Sequence, residues 1–268
     1  MKKQRAVKEK TLSKMCRDIK DSRMSNPVIL DYLNAVAVIQ DDGIQKRLQN
    51  ELIREYVMLE KRVDSLLKNT LPEMVANEIK DSGRFAPRSY DCTILFCDIA
   101  GFTRLAESIS GEVLIELLDG LFRGMDDLLV NFRGTKIKTI GDAYMAVFGA
   151  PHAYADHAVM AVKTGLALLD LLDSFNRQRD HNLQVRIGIH TGAVMAGVVG
   201  KERMQFDIFG DHVNIASRFE SSGEKGRVNV SYETYIRARD HFYFEERGEI
   251  ALKNKANMRA YFVVGERQ

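Results

Sequence analysis

Long apolar runs are missing from this sequence of 268 residues. Spanning a bilayer takes about 18 consecutive apolar residues. The run Ala35 to Ile39 falls far short of that, so no transmembrane segment is expected. Cysteine is scarce. Cys16, Cys92 and Cys97 are too few and too irregularly spaced for a disulfide framework or a zinc site, which suits a reducing compartment. Charge of one sign is also lacking. With 39 Lys and Arg against 37 Asp and Glu, the net charge is +2, and the molecule as a whole carries no nucleic-acid footprint. The basic N-terminus lacks the apolar stretch of a secretory signal. A soluble, cytoplasmic protein is therefore expected. There is no internal repeat and no low-complexity segment. What is present is ordinary globular composition, 45% hydrophobic, which gives a sizeable core. The length suits one full domain plus an accessory segment, or two small domains.

Residues 1 to 24 are rich in Lys and Arg. They read as a solvated helix or tail, with a patch for anionic lipid or a partner as the alternative. Val28 to Ile39 reads as a buried helix. Leu52, Tyr56, Leu59, Val63 and Leu66 then recur in alternating steps of four and three, a heptad seam. A helix this short needs a partner for stability, so a parallel two-stranded coil is expected; packing on its own domain is the alternative. Pro72 fits the first turn of a second helix, Glu73 to Lys80, and Asp81-Ser82-Gly83 reads as its stop. The expected division is an N-terminal helical region, residues 1–84, and a catalytic candidate, residues 85–268.

The second region reads β-α-β-β-α-β. Tyr90 to Cys97 is strand-like and Arg104 to Ile109 helix-forming. Gly111 to Phe132 has helical spacing through Val113, Leu117, Leu121 and Leu128. Lys136 to Ile140 and Tyr144 to Phe148 alternate around Gly141-Asp142, a hairpin signature. Ala153 to Phe175 reads as a long helix. Gln184 to His190 and Val194 to Val199 read as two strands separated by Thr191-Gly192. His212 to Phe219 reads as a helix, Val228 to Val230 as a strand and Tyr232 to Ala238 as a helix. Phe242 to Glu246, Glu249 to Leu252 and Tyr261 to Val264 close the chain as strands. The fold class is α+β, a ferredoxin-like βαββαβ core with C-terminal additions, preceded by an N-terminal helical segment.

The chain is organised around Cys97-Asp98-Ile99-Ala100-Gly101-Phe102-Thr103. A strand ends on a carboxylate, turns on glycine and enters a helix. The carboxylate suits a hard cation and the helix start suits a phosphate. Asp142 sits in the hairpin turn, and in a ferredoxin-like sheet the first strand neighbours that hairpin. Two carboxylates then face one cavity. Few cationic groups lie next to them in sequence, so divalent metal is the expected partner. Taken singly, Asp98 reads as a helix N-cap and Asp142 as a turn residue. His190 and Cys97 read as structural, with Cys97 turned away from Asp98 by strand alternation.

Phe96-x-Asp98-x-x-Gly101-Phe102, Lys138-Thr139-Ile140-Gly141-Asp142, Asp207-Ile208-Phe209-Gly210 and Val213-Asn214-Ile215-Ala216-Ser217-Arg218 stand in order along the chain. Together they resemble the class III nucleotidyl cyclase catalytic domain, over residues 88 to 265. Leu66 to Lys80 also resembles the helix-turn element that links such domains to upstream regulators. The resemblance implies an adenylyl cyclase, in which the ribose 3′-oxygen of ATP attacks its own α-phosphorus and pyrophosphate leaves. It implies that Asp98 and Asp142, helped by the Ile99 carbonyl, bind two Mg²⁺ or Mn²⁺ ions. Backbone N–H groups from Ala100 through Gly101, Phe102 and Thr103 would hold phosphate oxygens.

Lys138 and Asp207 match the family's base-reading pair. Lys can donate to adenine N1 and Asp can accept from the N6 amino group, whereas guanine presents the opposite pattern. Guanylyl cyclases of the family typically carry Glu and a Cys-type residue there. Asn214 and Arg218, four apart on one helix face, match the residues that orient the ribose and stabilise charge on the α-phosphate. Arg186 and Lys253 match phosphate-binding residues, with Asn254 standing where the family has glycine. In the family, the metal aspartates and Arg186 come from one subunit, and Lys138, Asp207, Asn214, Arg218 and Lys253 from the other. A head-to-tail homodimer with two composite sites is thus implied, with the N-terminal helices as the input for an upstream regulator. The competing readings are a catalytically silent cyclase-like module and a guanylyl cyclase. The Gly-Gly-(Asp/Glu)-Glu-Phe signature of diguanylate cyclases does not occur.

Overall fold

The computed structural model describes residues 34–179, 181–251 and 257–267. The basic N-terminal residues, the first half of the Val28–Ile39 segment and Lys253 lie outside the described residues. The chain divides into two compact units, one ending at Thr70 and one beginning at Leu71. Among the described residues, no helix is long and apolar enough to cross a membrane.

In the first unit, helix α1 spans Asp42–Lys68. The Asp41 carboxylate caps it, accepting from the N–H groups of Gly43 and Ile44 at 3.1 Å each. Lys68 pairs with Asp64 one turn earlier, at 3.1 Å. Tyr56, Val63 and Leu66 of the heptad seam are exposed.

The second unit opens with α2, Glu73–Ser82. Pro72 precedes the helix as its N-cap, one position earlier than its sequence setting implies. Gly83 ends the helix with φ 75°, and its N–H reaches the Ile79 carbonyl at 2.8 Å. The strands that follow are β1 (Arg88–Ile99), β2 (Gly134–Ile140), β3 (Ala143–Phe148), β4 (Val185–Val199), β5 (Gln205–Phe209), β6 (Val228–Ser231), β7 (Phe242–Ile250) and β8 (Met258–Glu266). The helices between them are α3 (Phe102–Ser108), α4 (Gly111–Asn131), α5 (His157–Arg179), α6 (Asp211–Ser221) and α7 (Tyr232–Ala238).

The sheet runs β2-β3-β1-β4-β6-β8-β7, with β5 also paired to β4. Its first four strands have ferredoxin-like order, as expected, and the additions extend the far side. Alternation along β1 and β4 sorts the two faces. Leu95, Cys97, Ile99, Val185, Ile187 and Ile189 pack with α4 and α5 in the main core. Arg186, Gly188, His190 and Gly192 of β4 face α6, whose Ile215 and Phe219 form a second cluster with Ala260.

Several local expectations give way to packing. β4 is one strand of 15 residues, not two around a turn at Thr191-Gly192. Gly192 is glycine because His212 lies against it: a β-carbon there would come within 2.2 Å of His212 Nδ1. The buried stripe of α4 is Leu117, Leu121, Met125 and Leu129, while Val113 is exposed. α5 begins at His157 rather than Ala153, because Tyr154 is held in the preceding loop, where its hydroxyl donates to the Arg133 carbonyl at 2.8 Å. β7 is continuous from Phe242 to Ile250, with register shifts between Tyr243 and Phe244 and between Glu246 and Gly248. β5 carried no strand signal in the sequence.

Candidate active site

Asp98 is the penultimate residue of β1 and lies opposite Arg186 on β4. Arg186 forks between two carboxylates. Its Nη2 donates to Asp98 Oδ2 at 2.6 Å, and its Nε donates to Glu220 Oε1 at 3.1 Å. Few cationic groups lie beside Asp98 in the sequence, yet the fold gives it a cationic neighbour. The neighbour arrives by strand pairing, 88 residues along the chain. Glu220 stands on the last turn of α6 and is buried. Burial and the charge of Asp98 push its carboxyl up to about 7, outweighing the pull of Arg186 in the other direction. Sequence reasoning missed Glu220, since a Glu after a buried Phe carries no local signal.

Asp142 occupies the β2–β3 turn, after Gly141 at φ 63°. Burial and the Asp98 charge push its carboxyl up to about 6, against backbone N–H donors at Asp142 and Ile99. The two carboxylates thus share one spot and repel. That like-charge clash is what a divalent cation relieves, and carboxylate oxygens are the donors Mg²⁺ and Mn²⁺ prefer. The residues present fit such an ion. Among the described residues, no group of three or more His, Cys, Asp and Glu side chains converges as a metal cluster; this is a two-carboxylate site. Ile99 is buried at the end of β1. Gly101 turns the chain with φ 82°, and α3 starts at Phe102 and includes Thr103.

Lys138 and Asp207 meet in a second group of contacts. Lys138 Nζ donates to Asp207 Oδ2 at 2.5 Å. Asp207 is buried on β5, and its Oδ1 accepts from the Ile208 N–H at 2.9 Å. A register shift in β2 between Lys136 and Lys138 separates the two lysines. Lys136 goes to Asp126 on α4 at 2.9 Å, and Lys138 goes to β5. Asn214 is exposed and Arg218 half-buried on α6. Arg218 Nη1 is buried without a hydrogen-bond partner, a donor suited to an anionic group. Cys97 packs in the main core, turned away from Asp98.

The adenylate and guanylate cyclase catalytic domain, as a family model, matches residues 85–265. Rat atrial natriuretic peptide receptor 2 is 39% identical over 230 residues, covering 83% of this chain and 22% of that protein. An adenylate cyclase of Mycobacterium bovis is 36% identical over 208 residues, covering 77% of this chain and 47% of that one. The chain spans less than half the length of either relative. Among solved structures, an adenylyl cyclase from P. aeruginosa aligns with TM-score 0.66 at 34% identity, over 69% of this chain and 98% of that one. A guanylate cyclase domain from Catenaria anguillulae, in complex with GTP, aligns with TM-score 0.65 at 31% identity, over 67% of this chain and all of that one, 100%.

Proposed function

We propose that this chain, which belongs to the adenylate and guanylate cyclase catalytic-domain family, is an adenylyl cyclase that converts ATP to 3′,5′-cyclic AMP and pyrophosphate. Relatives of both nucleotide preferences match it, so the base reader carries the choice. That observation is the Lys138–Asp207 pair at 2.5 Å. Lys138 donates to adenine N1, and Asp207 accepts from the N6 amino group while Ile208 N–H holds its other oxygen in place. Guanine would set its N1–H against the ammonium and its O6 against the carboxylate, and each mismatch leaves a desolvated polar group unpaired.

The reaction joins the 3′-oxygen to the α-phosphorus. The 3′-hydroxyl gives up its proton, and the bond from the α-phosphorus to the bridging oxygen breaks with its electron pair on pyrophosphate. Both reactants belong to one molecule, so the protein's work is positioning and charge stabilisation. Asp98 and Asp142, with the Ile99 carbonyl, would hold two Mg²⁺ or Mn²⁺ ions, which would supply a lowered pKa at the 3′-hydroxyl and charge neutralisation of the triphosphate. Arg186 and Lys253 bind phosphate oxygens, and the backbone at Gly101, Phe102 and Thr103 receives others. Asn214 orients the ribose. Arg218 meets the charge that grows on the α-phosphate, which suits its unpartnered buried nitrogen.

The two groups of contacts belong to the two halves of a composite site, so the working form is a homodimer with two such sites. Residues 1–84 carry the input from an upstream regulator, through the seam of α1.

The test is product formation by the purified chain from ATP and separately from GTP, in Mg²⁺ and in Mn²⁺. Cyclic AMP from ATP, abolished in Asp98→Ala, is expected. Cyclic GTP as the main product would establish the guanylyl reading that the Catenaria anguillulae domain favours. Nucleotide binding without product from residues 85–268 would establish a silent module.

A further inference from the structure

His190 is fully buried in the middle of β4, and no step of the proposed reaction uses it. It is one link in a chain of hydrogen bonds that passes from one face of the sheet to the other. The chain begins at the surface, where Arg237 Nη1 pairs with Asp91 Oδ2 at 2.8 Å. The same nitrogen lies 3.2 Å from His157 Nε2. His157 Nδ1 is 2.8 Å from Thr93 Oγ1, which is 2.8 Å from Thr191 Oγ1. Thr191 Oγ1 is 2.9 Å from Thr234 Oγ1. Thr234 reaches Ser231 Oγ at 3.4 Å, through its hydroxyl and its backbone N–H alike. Ser231 Oγ is 2.7 Å from His190 Nδ1, and His190 Nε2 is 2.7 Å from His212 Nδ1. His212 stands in the first turn of α6, two residues before Asn214.

The chemistry of the links gives the chain a direction. A guanidinium only donates, so His157 Nε2 accepts and its proton sits on Nδ1. Thr93 accepts that proton and donates to Thr191. Thr191 donates to Thr234, and Thr234 to Ser231. Ser231, at 2.7 Å against 3.6 Å for the Glu233 carboxylate, then donates to His190 Nδ1, with the His190 proton on Nε2. His212 Nδ1 is left as the acceptor, and every proton is used once. Burial drives His190 down to about 3, which keeps its ring neutral, and lowers His157.

The same ring of His212 is fixed a second way. It lies against Gly192, where a β-carbon would come within 2.2 Å of Nδ1. It is also close to coplanar with the ring of His190, at 21° and with centroids 5.0 Å apart, the end-to-end arrangement of their hydrogen bond, and His190 in turn lies parallel to Phe219 with centroids 6.1 Å apart. Both ends of α6 are therefore referred to one buried imidazole.

We propose that His212, clasped by His190 across Gly192, is a positioning residue that sets the depth and rotation of α6 and so aims Asn214 and Arg218. The inference rests on the role given to α6 in the proposed reaction. Misplacing a reacting group by about 1 Å can cost on the order of 100-fold in rate.

Three variants of the full chain test it. His212→Leu removes the acceptor, His212→Asn keeps one near the Nδ1 position, and Gly192→Ala pushes the ring off its seat with both histidines intact. His212→Leu and Gly192→Ala should lower kcat by about tenfold or more, with KM for ATP within about twofold. His212→Asn should recover most of the loss. Amide hydrogen exchange over residues 211–218 should quicken in the first two variants and stay protected across β1 and β3. Wild-type kcat and exchange in His212→Leu would overturn the proposal. So would a loss that His212→Asn does not rescue, accompanied by faster exchange throughout the sheet. Exchange needs no substrate. If the wild type makes neither cyclic nucleotide, the functional reading fails and the clasp is still judged by exchange.

Discussion

Gly188→Ala probes the seat of α6 at its other end. A β-carbon on Gly188 would come within 1.9 Å of Glu220 N, 2.4 Å of Glu220 Cα and 2.5 Å of the Phe219 carbonyl carbon. Non-bonded carbon contacts settle at about 3.5–4 Å. All three obstructing atoms are helix backbone, so no rotamer change relieves them, and α6 has to withdraw by roughly an ångström or more. Overpacking a core costs about 1–3 kcal/mol and sometimes more. Withdrawal here also loosens fully buried Phe219. It further stretches the 2.6 Å bond from Asn229 Nδ2 to the Phe219 carbonyl, and the Glu220–Arg186 contact. A loss of at least about 3 kcal/mol is expected, near the top of that range.

Gly197→Ala on the same strand is the control. The nearest atom to its β-carbon is Pro87 Cγ at 3.5 Å, an ordinary contact. Its stability should stay within about 1 kcal/mol of wild type. Urea unfolding followed by circular dichroism, with cyclic nucleotide production measured in parallel, compares the two. An insoluble Gly188→Ala beside a soluble Gly197→Ala would count with a large loss. Indistinguishable midpoints and equal activity would refute the close seating of α6 on β4.

Three further outcomes are expected. Lys138→Glu combined with Asp207→Cys should lower the preference for ATP over GTP, and strict ATP use by the double variant would refute the base assignment. Deleting residues 1–60 should weaken dimerisation and lower activity, because Leu52, Tyr56 and Leu59 of the seam are lost; sedimentation and turnover unchanged by the deletion would exclude that role. The third outcome concerns acid. His190 titrates near 6.5 when exposed and at about 3 in the fold, so below pH 6.5 the unfolded chain binds more protons. Stability from this group is complete above that pH and drains as pH falls, by up to about 1.4 kcal/mol per pH unit. Between pH 6.5 and 5, wild type should therefore lose about 2 kcal/mol more than His190→Gln. Parallel pH curves for the two proteins would show that His190 is not held neutral by burial.

The stretch around Asp98 was legible because its signals are local. An apolar run, a carboxylate, a glycine with positive φ and a helix former follow one another within a few residues, and the structure strings them in that order. The β2–β3 hairpin was legible for the same reason, as was Gly83 at the end of α2. β5 was not. Gln205 to Phe209 is short and carries Asp207 in its middle, and it is a strand because β4 offers it an edge. The break assigned to Thr191-Gly192 followed from the usual meaning of glycine, whereas in the fold that glycine makes room for a histidine from another element.

The sequence by itself determined which residue types are available for chemistry, and the alternation and spacing that make each strand and helix. These are properties of neighbours in the chain. The tertiary structure alone decided that Arg186 lies on Asp98, that Glu220 closes the fork, that Asp142 is pushed up by a carboxylate from another strand, and that His190 faces His212 across a glycine. Each of those contacts joins segments tens of residues apart. Strand register and helix seating bring them together, and no local pattern encodes either one.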